Sequence, residues 1–420
     1  MLTPAESRLA DAAARGEIAD FSSTDPAENA PERGEAWGEE RSLSAEVVRA
    51  LTSGTYPSWP VTSAGVVIRG AKIAGILDLA DTEVAFPLAF VECYFERPFS
   101  LRNASIESLL IGGSLVPGLD ARSVHVRYDL QVCGRSHVHG AVRLERSVIG
   151  GDLSFDGAIL EGDGEHALMA DDAIIGGHVL MCNGFRAAGE VGLRRASVRG
   201  LFYCSHGGFE NPDGVALAAD DAEVNGHVVM SNGFSAIGEV SLRRAHLRRT
   251  LYCAHGSFMN PASDALSADG VEIGGRAFLG EWFSAKGAVR LPQAKIGEDL
   301  HCVGGIIQNP GGYALFADDI EVGGSIRMHT RFLAQGAVRL ARGIIGGFLD
   351  CRAGRFENPG GIAIAAANAH IGRAVLLSAG FRASGAVRFT GAKIGGALES
   401  DDGVCDELFT DGAEIAGGES

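Results

Sequence analysis

Pairs of aspartate recur along the chain at a fixed spacing, and paired carboxylates can bind calcium or act as general acid and base. Asp171 and Asp172 are followed 49 residues later by Asp220 and Asp221. The position recurs further on, and the whole candidate acidic corner comprises Asp171, Asp172, Asp220, Asp221, Asp269, Asp318 and Asp319.

Arginines occupy the corresponding position between successive aspartate pairs. Arg194 and Arg195 follow the first pair, and Arg243 and Arg244 follow the second. Opposite charges on neighbouring strands neutralise one another. We therefore predict a ladder of ion pairs at this corner in preference to a calcium site or a catalytic pair of carboxylates.

The eight cysteines include no C-x-x-C pair, which removes the usual zinc and redox spacings. Half of them alternate with other apolar residues in one column: Cys204, Met230, Cys253, Leu279, Cys302, Met328, Cys351 and Leu377. Such a mixed column is typical of a core. Cysteines two turns apart would be about 9.6 Å from one another, beyond the ~7 Å Cα limit for a disulfide. We predict buried, unreactive thiols.

Two pairs of histidines have spacings that could hold a metal ion. His137 and His139 face the same side of a predicted strand, and His206 and His255 occupy equivalent positions. Protein metal sites ordinarily use three or four ligands, and no third ligand is recognisable in the sequence. We therefore predict no metal site and no cofactor.

An aromatic residue interrupts a column of glycines. Trp282 stands where equivalent turns have Gly184 and Gly233, so we expect its side chain to be exposed. The candidate binding patch for a ligand or partner is therefore Glu281, Trp282 and Arg331, and a local variation in packing is the alternative.

The sequence lacks the motifs of common enzyme classes. It contains no G-x-x-x-x-G-K-[ST], no strand-linked G-x-G-x-x-G, no G-x-S-x-G and no H-E-x-x-H. We assign no catalytic residue.

A 49-residue period that divides into two turns organises these candidates. One series contains Phe185, Phe234, Phe283, Phe332 and Phe381, and a second series, nearly halfway between, contains Phe209, Phe258, Ile307 and Phe356. Inward and outward residues alternate within each turn, as in strands. We predict an all-β, right-handed parallel β-helix (solenoid) with 24/25-residue coils.

The period also defines the expected domains. Residues 61–139 are predicted to form irregular coils, 140–400 regular 49-residue double coils and 401–420 a degenerate end. Residues 1–60 are predicted to form a helical N-terminal cap with an acidic linker, because an uncovered first coil would leave backbone groups unpaired. Its helices are expected at Leu9 to Arg15 and Leu43 to Leu51, with Ser42 or Ser44 as N-cap of the second.

The stretch VVIRGAKIAGILDLADTEVAFPLAFVECYFERPFSLRNASIESLLIGGS, with Phe90 and Phe95 five residues apart, resembles bacterial pentapeptide-repeat and related β-helical solenoid proteins. The resemblance implies a regular scaffold that binds partners or organises assemblies.

Charge and hydropathy restrict the partners. The formal net charge of −17 disfavours nucleic acid and anionic membrane surfaces, which both favour clustered Lys and Arg. No run of 18 apolar residues and no signal peptide is visible, so we predict no membrane insertion and a cytoplasmic location.

The predicted function is a non-enzymatic structural scaffold or protein-interaction module that binds a protein partner or associates with itself end to end. Two alternatives stay open. A carbohydrate-active enzyme of β-helix type would use the acidic corner, and a DNA-mimicking topoisomerase inhibitor would use the net acidity.

Overall fold

The chain folds as an all-β parallel solenoid of about 15 turns, with about 8% of its residues in helices near the N-terminus. The computed structural model describes residues 2–54 and 59–418, apart from the side chain of Asp163. The predicted all-β parallel solenoid is confirmed, but its regular turns alternate between 23 residues, as from Val224 to Leu247, and 26 residues, as from Leu247 to Ile273, instead of the predicted 24 and 25. Two compact units are distinguished, Met1–Gly200 with Gly207–Glu210, and Leu201–His206 with Asn211–Ser420.

Three parallel sheets, here named A, B and C, run through the turns of the first unit. Its sheet A strands are Ala19–Asp20, Val66–Arg69, Leu88–Val91, Leu109–Gly112, Leu130–Cys133, Leu153–Ser154 and Val179–Leu180. Its sheet B strands are Ser42–Ser44, Lys72–Ala74, Tyr94–Phe95, Phe99–Ser100, Leu115–Val116, Leu119–Asp120, His137–Val138, Val142–Arg143, Ile159–Met169 and Arg186–Gly192. Its sheet C strands are Glu83–Val84, Ser105–Ile106, His125–Val126, Val148–Ile149, Ile174–Ile175 and Ser197–Val198.

The second unit repeats the arrangement more regularly. Its sheet A strands are Phe202–Tyr203, Val228–Val229, Leu251–Tyr252, Ala277–Phe278, Leu300–His301, Ile326–Arg327, Leu349–Asp350, Val375–Leu376 and Leu398–Glu399. Its sheet B strands are Gly208–Ala218, which is divided between the units, Ser235–Ser241, Ser257–Ser267, Ser284–Arg290, Ile306–Phe316, Leu333–Arg339, Arg355–Ala365, Arg382–Arg388 and Val404–Phe409. Its sheet C strands are Glu223–Val224, His246–Leu247, Glu272–Ile273, Lys295–Ile296, Glu321–Val322, Ile344–Ile345, His370–Ile371, Lys393–Ile394 and Glu414–Ile415.

Long and short turns alternate in the second unit because sheet B strands of 11 and 7 residues alternate. Leu247 pairs with Val224 of the turn before it and with Ile273 of the turn after it. The turn from Leu247 to Ile273 contains more residues than the turn from Val224 to Leu247. The phenylalanines are instead almost evenly spaced, as the sequence indicates, because they alternate between two backbone positions. Phe258 lies within a strand, in register with Ala236, whereas Phe234 lies in the corner that precedes Ser235–Ser241.

The irregular early turns contain a shorter spacing. Ile106 and Val126 pair in register on sheet C, so the turn between them is shorter than any turn of the second unit. Inward residues recur here every five positions, and all are buried: Leu101, Ile106, Ile111, Val116, Ala121 and Val126. This part of the chain therefore forms turns with a five-residue step between successive buried side chains.

A column of glycines follows sheet C in the second unit. A Cβ placed on Gly297, Gly323 or Gly346 would lie less than 3.0 Å from the carbonyl oxygen of the glycine one turn earlier. Successive backbones approach too closely there for any side chain. The column comprises Gly274, Gly297, Gly323, Gly346, Gly372 and Gly395.

The N-terminal segment contributes strands as well as helices. Ala19–Asp20 pairs with Val66–Arg69, and Ser42–Ser44 pairs with Lys72–Ala74, so both sheets gain an outer strand. The helices are Pro4–Arg15, with a Thr3 and Glu6 capping box, and Ala45–Thr52, with Ser44 as N-cap. The predicted acidic linker contains three 3-10 helices, Pro26–Glu28, Pro31–Ala36 and Glu39–Arg41.

A buried arginine joins this segment to the first turn. Arg41 is 6% exposed, and its Nε donates a hydrogen bond of 2.9 Å to the carbonyl oxygen of Gly70. Its Nη1 donates one of 3.1 Å to the carbonyl oxygen of Glu28, and its guanidinium lies 3.6 Å from the ring centroid of Trp37. Burial lowers the pKa of Arg41. The bond to Gly70 joins the segment to the first turn, and the contacts with Glu28 and Trp37 hold Arg41 in place within the segment.

Candidate functional site

The corner between sheets A and B has a left-handed backbone that favours glycine. In the short turns two consecutive residues have positive φ: Asn183 and Gly184, Asn232 and Gly233, Glu281 and Trp282, Thr330 and Arg331, and Ala379 and Gly380. At the second of these positions Gly233 has a φ of 83° and Trp282 a φ of 68°. Trp282 and Arg331 are therefore L side chains in a conformation that costs each about 1 kcal/mol.

The three residues of the candidate binding patch all project from this corner. Trp282 is 64% exposed, as expected from the sequence, and Glu281 and Arg331 are also exposed. A Cβ on Gly304, in the intervening turn, would lie 3.8 Å from the amide nitrogen of Glu281 and 3.9 Å from the carbonyl oxygen of Thr330. Gly304 therefore contributes no side chain to the space between Trp282 and Arg331.

At the acidic corner, the second aspartate of each pair forms an ion pair with the next turn. Arg195 Nε lies 2.7 Å from Asp172 Oδ1, and Arg342 Nη2 lies 2.6 Å from Asp319 Oδ2. Hydrogen bonds from these arginines lower the pKa of both aspartates. Asp221 forms the same contact with Arg244, at 2.6 Å.

The first aspartate of each pair has a structural role. Asp171 Oδ1 accepts a hydrogen bond of 2.9 Å from the backbone nitrogen of Arg194, and Asp220 Oδ1 accepts one of 2.8 Å from that of Arg243. Asp318 does the same for Ala341 and also pairs with Arg339. Asp269 pairs with Arg290 at 2.8 Å. All seven corner aspartates thus contact a following turn, which favours the ladder interpretation.

The cysteine column is part of the core, as the sequence predicts. Cys204, Cys253, Cys302 and Cys351 are fully buried. Burial raises the pKa of Cys302 to about 12 and raises that of Cys253 further. The thiols of Cys253 and Cys302 are therefore protonated at neutral pH, which leaves them without the thiolate that nucleophilic or metal-binding chemistry requires.

Sheet B of the first unit brings a third side chain, Glu161, to the pair of His137 and His139. His137 pairs in register with Ile159, which places His139 opposite Glu161 on the outer face of the next turn. Glu161 Oε1 lies 3.1 Å from His137 Nε2, and its Oε2 lies 2.7 Å from His139 Nδ1. The hydrogen bond with His139 lowers the pKa of Glu161. Glu161 is therefore a third potential ligand, which was not recognisable in the sequence.

The histidines of the second predicted pair lie apart. His206 and His255 each have a left-handed backbone at the corner between sheets A and B of a long turn, with φ of 59° and 58°. Both side chains are exposed at the corner between sheets A and B. They are two turns apart, so they do not form a common site with one another.

A shallow trough of about 1030 Å³ follows sheet C of the second unit. The trough forms because the glycines have no side chains, which leaves space beside the row of outward-facing side chains of sheet C. The row has mixed charge: His246 Nδ1 lies 3.1 Å from Glu272 Oε2, and Lys295 Nζ lies 3.3 Å from Glu272 Oε1. This surface was not among the predicted sites, and its signal in the sequence is the repeated Ile-Gly-Gly phrase.

Inward side chains of the last turn are more exposed to solvent than the equivalent side chains of the turn before it. Cys405 and Leu408 are half-buried, whereas their register partners Ala383 and Val387 are at most 5% exposed. Val404 is 58% exposed. End-to-end self-association stays a prediction.

None of the helices among the described residues is long and apolar enough to cross a membrane. The chain was also compared with protein-family models, curated proteins and solved structures, and none of them matches it.

Proposed function

We propose that the chain is a non-enzymatic structural scaffold and that it binds a second copy of itself through the patch of Glu281, Trp282 and Arg331. One observation supports this most directly. Trp282 is 64% exposed and has a φ of 68°, at a position where equivalent turns have glycine. The solenoid supplies a rigid support on which such a corner is displayed.

The backbone conformation favours a role beyond packing. A left-handed tryptophan costs about 1 kcal/mol relative to glycine, and its indole recovers little of this by burial while it stays exposed. Trp282 would recover the cost once a partner covers it, since exposed tryptophan and arginine are frequent anchors of interfaces.

The charges of the patch make it complementary to itself. Glu281 and Arg331 lie two turns apart, about 9.6 Å along the solenoid, and neither has an ion-pair partner among residues 2–54 and 59–418. In a two-fold dimer, residue i of one copy contacts residue j of the other and the reverse. Glu281 of each copy would then face Arg331 of its partner, with both Trp282 side chains near the axis.

Sedimentation velocity of the purified chain tests the proposal. At tens of micromolar we expect wild type to dimerise and Trp282→Gly to remain monomeric. Trp282→Gly should keep its stability within about 0.5 kcal/mol, because relief of strain offsets the greater freedom of unfolded glycine. Ile344→Ala is the matched control, since Ile344 is another exposed apolar residue, at 52%. A monomeric wild type, or a Trp282→Gly dimer, would refute the proposal.

Charge reversal tests the orientation of the two copies. Glu281→Arg and Arg331→Glu should each weaken association at least tenfold, because like charges would meet across the axis. The double variant should regain most of the wild-type affinity. Additive losses in the double variant would show that Glu281 and Arg331 do not face one another.

A further inference from the structure

We propose that His137, His139 and Glu161 bind a divalent transition-metal ion of the Zn²⁺ class on sheet B of the first unit. The scaffold proposal does not require this site, which concerns a different surface. The three side chains offer two imidazole nitrogens and one carboxylate, with their ligand atoms within 4.8 Å of one another.

The solenoid register creates the cluster. Val138 is 1% exposed and points inward, so His137 and His139 both project from the outer face of their strand. Val138 pairs with Leu160, which is also buried, so Glu161 projects outward beside His139. The three side chains therefore project from the outer face of two neighbouring strands that are hydrogen-bonded to each other. No loop has to become ordered for the three ligands to meet.

The distances suit a metal ion bound by cis ligands. Zn²⁺ lies about 2.0–2.2 Å from imidazole nitrogen and carboxylate oxygen, so two of its ligand atoms are roughly 3.0–3.5 Å apart. His137 Nε2 and Glu161 Oε1 are 3.1 Å apart. His139 Nδ1 and Glu161 Oε2 are 2.7 Å apart, so this pair would open by a few tenths of an ångström on binding.

One ring nitrogen lacks the contact that a metal ion would provide. His137 Nε2 is buried and has no hydrogen-bond partner among the described residues, because Glu161 Oε1 is close but out of line. The ring centroids of His137 and His139 lie 3.9 Å apart, so the two imidazoles are neighbours on this surface. A bound cation would supply the contact that His137 Nε2 lacks.

The donor set indicates the class of ion. Imidazole suits Zn²⁺, Co²⁺, Ni²⁺ and Cu²⁺, whereas Ca²⁺ and Mg²⁺ prefer oxygen ligands. The side chains of His139 and Glu161 are 42% and 51% exposed, so an ion can reach the cluster from solvent. Three protein ligands leave at least one coordination position for water or for a group from another molecule.

Calorimetric titration of Zn²⁺ into the EDTA-treated full-length chain at pH 7.5 tests the site. We expect one site per chain, and at least tenfold weaker binding in His139→Ala and in Glu161→Gln. His246→Ala is the matched control and should bind as wild type does, because His246 faces the single carboxylate of Glu272, at 3.1 Å. Co²⁺ should give visible ligand-field absorption with wild type and His246→Ala but not with His139→Ala.

Circular dichroism and thermal melting of each variant separate loss of the site from loss of the fold. His137→Ala provides a further variant if His139→Ala does not fold. The proposal would be overturned if 1 mM Zn²⁺ gave no saturable heat with wild type, or if folded His139→Ala and Glu161→Gln bound Zn²⁺ with wild-type affinity.

Discussion

The ring of Phe258 lies 5.0 Å from the ring of Phe234, although the two residues occupy different positions in their turns. In register, Phe258 instead faces Ala236 and Ala285, whose small side chains leave room within the core. Rings that enter from the corners of the adjacent turns, Phe234 and Phe283, fill this room. The aromatic ladder therefore depends on alanine in the strand as much as on phenylalanine.

Phe258→Ala should lower the free energy of unfolding by about 3–5 kcal/mol, because it opens a cavity in a column with no space to collapse. Urea denaturation followed by circular dichroism measures the loss. Ile344→Ala is the control, because Ile344 is 52% exposed, and should change stability by at most about 0.5 kcal/mol. A similar loss of stability in both variants would contradict the conclusion that the ring of Phe258 fills space in the core.

Gly323→Ala should lower the free energy of unfolding by about 2 kcal/mol, because its Cβ would overlap the carbonyl oxygen of Gly297. Gly112→Ala is the matched control, since a Cβ there meets nothing closer than 3.9 Å. Thermal melting of the two variants beside wild type measures the difference. Equal melting temperatures of the two variants would show that the close approach of successive backbones does not require glycine at position 323.

The buried thiols should resist modification in the folded chain. With a pKa of about 12, Cys302 is thiolate in only about one molecule in ten thousand at pH 8. A colorimetric disulfide reagent should therefore react with at most Cys133 and Cys405, which are half-buried, until denaturant exposes all eight cysteines. Rapid reaction of more than two thiols in native protein would contradict the buried column.

Asp350 should make stability depend on pH in the acid range. Burial alone would raise the pKa of Asp350, but hydrogen bonds from the Arg352 side chain and backbone, with nearby His329, lower it overall. A folded pKa below the unfolded value of about 3.9 adds stability above that pH, and this stability is lost as the pH falls through the folded value.

Asp350→Asn should therefore cost about 1–2 kcal/mol at pH 7, and the difference from wild type should shrink between pH 4 and pH 2. Thermal melting across this range checks the sign. Asp411→Asn, at an exposed position of another turn, should follow wild type throughout. A difference that stays constant with pH would argue against an ionised, hydrogen-bonded Asp350.

Several features were predictable because a solenoid places equivalent residues of successive turns in contact. The cysteine column and the exposure of Trp282 follow from periodicity alone. The start of the first helix at Pro4 could also have been predicted, since Thr3 and Glu6 have the spacing of a capping box. The expected start at Leu9 relied on the apolar residues only.

Other features required the register between particular turns. The step from His139 to Glu161 belongs neither to the regular 49-residue repeat nor to the shorter turn from Ile106 to Val126. The contact between Glu161 and His139 was therefore not visible in the sequence. Likewise, the sequence could not show that the evenly spaced phenylalanines alternate between corner and strand.

The sequence by itself determined that like residues stack, because a repeated pattern of inward and outward side chains is stable only when each turn covers the next. Only the tertiary structure decided which outward residues meet, because that depends on the exact length of each turn. A shift of two residues in the pairing of the two strands would move Glu161 away from His139 while inward positions still met inward positions, because side chains alternate with a period of two.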